Sequence, residues 1–384
     1  MFRARETQAT AHPLPNNTPL VLEQHNQEET AVMLYRTLGR TGAQVGVIGL
    51  GCEYLLGKPT EHIVAVLRAA MDAGVSYLDL FYAQAEIRDA YGEALAGRRE
   101  TVLVGGHLGA WHQDGQYART RDLALSEEYF HDLLRRLRTD YVDVLFLHNC
   151  DEPEDYDLVI TQHFELADRF RGQGKARFIG FSGHTPDVAL RAVTSGLVDV
   201  LMFQLHLLEH DRAGREELLD ACVQRNVGLV AMKPYAGGKL LHDRPSAAVA
   251  PVSCLAYALA QRGVATVVPG AQDQAELRDA LSYLAATDSQ RDFSQALRDL
   301  GAAAEGSSCV YCNHCLPCPV GLDIGAVTRL LDMARRGGDD TAREAYTRLA
   351  VRASECVNCG DCAERCPWQV DAPAAMAAAA ELLE

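Results

Sequence analysis

Positive charge is short in this chain. Lys and Arg number 36 against 52 Asp and Glu, which leaves a net charge of −16. So acidic a chain repels phosphate backbones and anionic membranes, which argues against nucleic-acid binding as its main role. Long apolar runs are also missing, so no bilayer-spanning helix is expected. No N-terminal segment joins a basic start to an apolar core and a small-residue cleavage site, so no secretory leader is expected. These absences together point to the cytoplasm.

What is present begins with size and cysteine. At 384 residues, 48% apolar and 23% charged, the chain is long enough for a barrel-sized domain plus an extension. Of its 12 cysteines, Cys52, Cys150, Cys222 and Cys254 are scattered singly and read as packing residues. The other eight fall in two tight groups. In a reducing compartment, clustered cysteines signal metal rather than disulfides.

Residues 1–32 are polar and irregular and read as a disordered tail, with Met33 as a second candidate start. Residues 33–286 alternate short apolar runs with amphipathic helical segments. Strands are expected at 45–51, 76–81, 102–108, 142–149, 176–183, 198–206, 227–235 and 266–270, with helices between them, for example at 61–74 and 275–284. Runs buried on both faces and joined by helices mean a parallel sheet. Eight such units in a row mean a closed (β/α)8 barrel, the α/β TIM-barrel class. GLGCEYLLGKP after the first run is not the glycine-rich phosphate loop of an open doubly wound sheet. Residues 287–306 read as a helical connector. A small α-helical, ferredoxin-like module is expected over 307–384, with helices at 324–337 and 340–350 and in the Ala-rich stretch after Pro373.

The first cysteine group is Cys309, Cys312, Cys315 and Cys318; the second is Cys356, Cys359, Cys362 and Cys366. CxxCxxC spacing wraps one face of an iron–sulfur cubane. In two-cluster ferredoxins the fourth cysteine, followed by Pro, reaches the other cluster. By that analogy, Cys309, Cys312, Cys315 and Cys366 hold one [4Fe–4S] cluster. Cys318, Cys356, Cys359 and Cys362 hold the other. The first group is one residue short before Cys318, a departure from the ferredoxin spacing. Zinc usually takes two CxxC pairs or Cys/His pairs and fits this pattern poorly. His314, inside the first group, is expected to face solvent rather than act as a ligand.

YRTLGRTGAQVGVIGLG, SYLDLFYAQAE, YVDVLFLHN, GKARFIGFSGH, VGLVAMKPYAGGKL and VATVVPGAQDQAEL, in that order, resemble the aldo-keto reductases. With the cysteine groups, they resemble the branch that carries a C-terminal ferredoxin-like module. The resemblance implies reduction of a carbonyl by NAD(P)H at the C-terminal mouth of the barrel. It implies a Tyr acid, a Lys that lowers its pKa, an Asp that holds the Lys, and a His that orients the substrate. Asp79 and His148 match the Asp and the His. Gln84 stands at the Tyr position and His107 at the Lys position, so the tetrad is broken. Tyr82 lies close to Gln84 and could project into the same mouth. His107 either donates the proton, with Asp79 holding it cationic, or merely fills the mouth. Glu53, Tyr54 and Trp111 are expected to shape the pocket.

For the cofactor, the resemblance implies that Ser182 and Gln204 hold the nicotinamide carboxamide. Lys233, Pro234, Gly237 and Gly238 match the loop over the pyrophosphate, and Pro269 and Gly270 the end of the last strand. Gln272 and Asp273 lack the cation that would meet an NADP 2′-phosphate, which weakens the case for NADP and, beyond it, for any dinucleotide. Hydride carries two electrons and a cluster passes one, and no flavin motif is legible to convert between them. The reading is an iron–sulfur oxidoreductase acting on a small carbonyl or alcohol, with NAD(P)H and a redox partner protein as candidate electron sources. The alternative is a non-enzymatic electron-transfer or redox-sensing protein on a degenerate barrel.

Overall fold

A computed structural model describes residues 32–242, 247–301, 309, 311, 313–335, 339–366 and 368–384. The tail expected at 1–32, except residue 32, lies outside the described residues. So do residues 302–306 of the connector and, in the expected C-terminal module, residues 307, 308, 310 and Cys312.

The strands are β1 (Tyr35–Thr37), β2 (Gln44–Gly46), β3 (Tyr77–Leu80), β4 (Leu103–Leu108), β5 (Ala110–Gln113), β6 (Gln116–Arg119), β7 (Val142–Leu147), β8 (Ala176–Gly183), β9 (Val200–Gln204), β10 (Gly228–Met232) and β11 (Val264–Val268). Seven of them form one parallel sheet in the order β11-β10-β9-β8-β7-β4-β3. In β7, Val144 and Phe146 point into the inner core, while Leu145 and Leu147 face the surrounding helices. Burial on both faces explains why the strand reads as an unbroken apolar run. Each large side chain so buried contributes roughly 1.5–3 kcal/mol.

The strand expected at 45–51 is divided. Gln44–Gly46 pairs antiparallel with Tyr35–Thr37. Residues 48–51 then close the barrel through isolated bridges, Leu50 to Leu78 on one side and Ile48 to Val267 and Gly51 to Gly270 on the other. Close approach is the reason: a Cβ at Gly49 would lie 3.0 Å from the Tyr77 carbonyl oxygen and from Val268 Cγ1. The β1–β2 hairpin turns at Leu38–Gly39 and stoppers the lower end of the barrel. Gly39 has φ +49°, and a Cβ there would lie 2.2 Å from the Gly228 nitrogen.

Helices wrap the sheet. Leu123–Leu137 starts where the Asp122 side chain accepts from the Leu125 N–H and stops at left-handed Arg138; it buries Phe130, Leu133, Leu134 and Leu137. The connector contributes helices Asp288–Arg291 and Ser294–Gly301. Beyond it, Ile324–Arg335, Asp339–Tyr346 and Ala372–Leu383 are helical, close to the expected spans. Tyr311 and Asn313 bring this C-terminal part against the barrel mouth. No helix among the described residues is long and apolar enough to cross a membrane.

Candidate active site

Side chains of β4 alternate, so Leu103 joins the inner core and His107 stands at the mouth on the same face. Gly105 between them makes the room. A Cβ there would lie 2.7 Å from the Tyr77 hydroxyl and 3.1 Å from Asp79 Oδ1. Asp79, on β3, therefore fits against His107, and both are 5% exposed or less. His148 directly follows β7, and Phe81 stacks on its ring at 6.3 Å.

A fourth group arrives from an unexpected element. Strands β5 and β6 form an antiparallel hairpin beside the mouth. Asp114 and Gly115 at its tip both have positive φ, as a two-residue type I′ turn requires. The hairpin is fixed at the tip, where Gln84 Nε2 donates to the Gly115 carbonyl at 2.9 Å. It delivers Tyr117 into the pocket.

These groups form a continuous series. His107 Nε2 lies 2.9 Å from Asp79 Oδ1, and His107 Nδ1 lies 2.8 Å from His148 Nδ1. The Tyr117 hydroxyl lies 2.6 Å from His148 Nε2. Asn149 Nδ2 donates to the same hydroxyl at 3.1 Å. Asn149 is left-handed, with φ +51°, a conformation Asn tolerates, and its N–H donates to Ser182 Oγ at 3.0 Å.

The partners fix the proton positions. Burial, then the facing His107 and the Arg121 and Arg119 guanidinium groups, holds His148 well below the usual histidine range, so it is neutral. A carboxylate only accepts, so His107 Nε2–H donates to Asp79. A neutral His107 then accepts at Nδ1 from His148 Nδ1–H, and His148 Nε2 accepts from the Tyr117 O–H. One proton added at His107 reverses the outer links. His107 Nδ1–H donates to His148, His148 Nε2–H donates to the Tyr117 oxygen, and the Tyr117 O–H turns to the cavity. The series is thus a relay with two settings, one accepting a proton at Tyr117 and one delivering it.

The cavity it faces has a volume of about 70 Å³. Asp79, His107, His148, Ser182, Lys233, Gly270 and Glu53 line it together with Tyr117, as does Tyr311 from the C-terminal part. Tyr82 is placed otherwise. It packs edge-on against Tyr117, and its hydroxyl donates to the Glu53 carbonyl at 3.4 Å. Burial pushes its phenol well up. Neither nitrogen of His107 is left for substrate, so its expected donor role can act only through His148 and Tyr117. Trp111 sits in the hairpin, away from the cavity lining. Tyr117 is the residue the sequence reading missed; the signal for it was Asp-Gly between alternating residues of β5 and β6.

The residues matched to a dinucleotide separate into two sets. Gln204 is fully buried and both its amide atoms lack partners. The loop 233–239 is instead covered by the C-terminal part. A Cβ at Gly237 would lie 2.5 Å from the Tyr311 ring. Lys233 Nζ donates to the Tyr311 carbonyl at 3.2 Å and lies 3.7 Å from Glu53, and Lys239 lies 3.5 Å from Asp332. Pro234 is buried, and the Pro269 carbonyl accepts from the Gly51 N–H at 2.9 Å as part of barrel closure. The neighbouring cleft, about 660 Å³, is lined by Gly238 and Gly270 and by Glu53, Glu276, Asp279 and Asp323 against Lys58 and Arg329.

The cysteines line two further cavities. One is bordered by Cys318, Cys356, Cys359 and Cys362. The other is bordered by Cys309, Cys315 and Cys366, with Cys362, His314 and Trp368. His314, expected at the surface, is 2% exposed. The polar groups it meets on the barrel, Asp151 and Asn149, draw it inward.

Comparison with known proteins agrees with this geometry. Residues 45–252 match the family model described as "Aldo/keto reductase family". The chain is 28% identical over 217 residues to "Uncharacterized oxidoreductase YqkF" of Bacillus subtilis (strain 168), covering 56% of this chain and 68% of that one. It is 28% identical over 222 residues to L-galactose dehydrogenase of Arabidopsis thaliana, covering 55% and 68%. Among solved structures, aldo-keto reductase AKR11C1 from Bacillus halodurans (holo form) superposes with a TM-score of 0.58 at 24% identity, over 71% of this chain and 97% of that one. The matched span, the barrel and the residues at its mouth make this chain an oxidoreductase enzyme that belongs to the aldo/keto reductase family.

Proposed function

We propose that this chain is an iron–sulfur oxidoreductase that interconverts a small carbonyl compound and its alcohol, with Tyr117 as the proton-transferring group. The observation that carries this is the unbroken series Asp79–His107–His148–Tyr117 facing a small cavity at the barrel mouth. It replaces the expected Tyr–Lys pair with a Tyr–His–His–Asp relay. Reducing a carbonyl to an alcohol takes two electrons and two protons. Tyr117 delivers both protons in turn, one ending on oxygen and one on carbon, and after each is reprotonated through His148 from His107, whose charge Asp79 offsets; the two electrons come one at a time from the redox partner. In oxidation the same links run the other way. Asn149 fixes the Tyr117 oxygen, and Phe81 and Tyr311 keep water from the reacting centre.

The two cysteine-lined cavities support two [4Fe–4S] clusters, with Cys309, Cys315 and Cys366 joined by Cys312 at one, and Cys318, Cys356, Cys359 and Cys362 at the other. When bound, such clusters supply electrons singly. The orphaned Gln204 amide suits a carboxamide. The rest of a dinucleotide does not fit: Tyr311 lies on Gly237, both nearby lysines are engaged, and the cleft beyond is acidic. A redox partner protein of the cytoplasm is the better electron source.

The test is anaerobic purification, iron and sulfide analysis, and turnover of a panel of small aldehydes and ketones with a reduced ferredoxin. Roughly eight iron and eight sulfide per chain, and turnover that collapses in Tyr117→Phe, are expected. Iron-free protein, or full turnover in Tyr117→Phe, overturns the reading. Bleaching of the cluster absorbance by NADH or NADPH overturns the exclusion of the dinucleotide.

A further inference from the structure

We propose that Asp151, His184 and His314 form a binding site for a divalent metal of the zinc class, at the seam between the barrel and its C-terminal part. Asp151 follows β7, His184 follows β8, and His314 lies within the cysteine-rich segment. Asp151 Oδ2, His184 Nδ1 and His314 Nε2 all lie within 4.8 Å of one another. The carboxylate oxygen is 2.9 Å from His184 Nδ1 and 3.1 Å from His314 Nε2. All three residues are 5% exposed or less. Two imidazoles and a carboxylate make a borderline-soft donor set that suits zinc, and ligands around a tetrahedral zinc stand roughly 3.3 Å apart.

A second observation separates this site from a plain hydrogen-bonded cluster. Asp151 Oδ1 is already saturated: it accepts from the backbone N–H of His184, from that of Thr185 at 3.0 Å and from the Thr185 hydroxyl at 3.4 Å. Oδ2 alone is turned to the histidines. His314 Nε2 is buried and aimed at Oδ2, yet it makes no aligned hydrogen bond to it. Trp368 packs edge-on against both rings and fixes them, at 5.4 Å from His184 and 6.0 Å from His314. The set contains no thiolate, although His314 also borders the cavity of Cys309, Cys315 and Cys366, and its three ligands come from three separate segments. A metal there joins the cysteine-rich segment to the barrel mouth, beside the cavity that His184 also lines.

The experiment uses the full chain, purified anaerobically, equilibrated with Zn²⁺ and desalted. Zinc, iron and sulfide are then counted, so loading of the cysteine groups is read separately. One zinc per chain is expected in the wild type. Asp151→Asn and His184→Gln should each lose it while keeping iron and the circular dichroism of the wild type. X-ray absorption at the zinc edge of the wild type decides independently of any variant. A first shell of nitrogen and oxygen at about 2.0–2.1 Å supports the site. No retained zinc, equal zinc in wild type and both variants, or sulfur in the first shell overturns it.

Discussion

Gln116 grips the backbone of Cys318 with both ends of its amide: Nε2 donates to the Cys318 carbonyl at 3.1 Å and Oε1 accepts from the Cys318 N–H at 3.2 Å. Gln116 neighbours Tyr117 on the hairpin, so the group that faces substrate is tied to the cysteine-rich segment. Gln116→Ala removes both bonds, each worth about 1 kcal/mol net. About a tenfold fall in kcat is expected, with the iron content unchanged; loss of iron together with activity would make Gln116 a structural strut only.

Tyr117→Phe keeps the ring and its edge contacts but removes the hydroxyl at the end of the relay. Turnover should fall by about 10²–10⁴. Tyr82→Phe, which loses only a long bond to the Glu53 carbonyl, should stay within about threefold. Parallel steady-state assays of the two variants distinguish the tyrosines.

Low pH should destabilise the barrel through buried histidines. Burial, then Lys233 and Lys239, pushes His206 down to about 3, and burial with Arg121 pushes His163 down to about 4. An unfolded histidine takes up its proton near pH 6.5, whereas these two stay neutral. Below that pH the unfolded state binds more protons, so stability falls as pH falls, by about 1.4 kcal/mol per unit for each histidine. The loss runs from about pH 6.5 to the folded values. Tm measured between pH 7 and 4 should drop, and His206→Asn should flatten the slope.

Asp143 is 1% exposed, accepts from Arg99 at 2.8 Å and Arg177 at 2.9 Å, and its Oδ2 also takes the Val104 N–H. Asp143→Ala leaves two guanidinium groups without their shared partner and should cost about 3–5 kcal/mol. Urea denaturation checks it; a cost below 1 kcal/mol would mean water takes over the arginines.

Much of this was legible in the sequence, and the reasons are physical. Strands buried on both faces announce themselves as apolar runs, so β3, β4 and β7 to β11 fell where expected, with Asp79 and His148 at their mouth ends. The first strand was overdrawn because glycines 49 and 51 serve close approach and leave only isolated bridges. Tyr117 escaped because an Asp-Gly pair marks at most a hairpin and says nothing of which opening of the barrel the hairpin overhangs. His314 was set at the surface because its burial depends on Asp151 and Asn149, more than 160 residues away. No local pattern carries such a contact.

The grip of Gln116 on Cys318 spans 202 residues, and this orders events during synthesis. A nascent chain can close its barrel on the ribosome while the hairpin still lacks its clamp. Competence for chemistry then arrives as a separate, later event than folding of the barrel, and the last-made part of the chain supplies both the clamp and Tyr311 of the cavity.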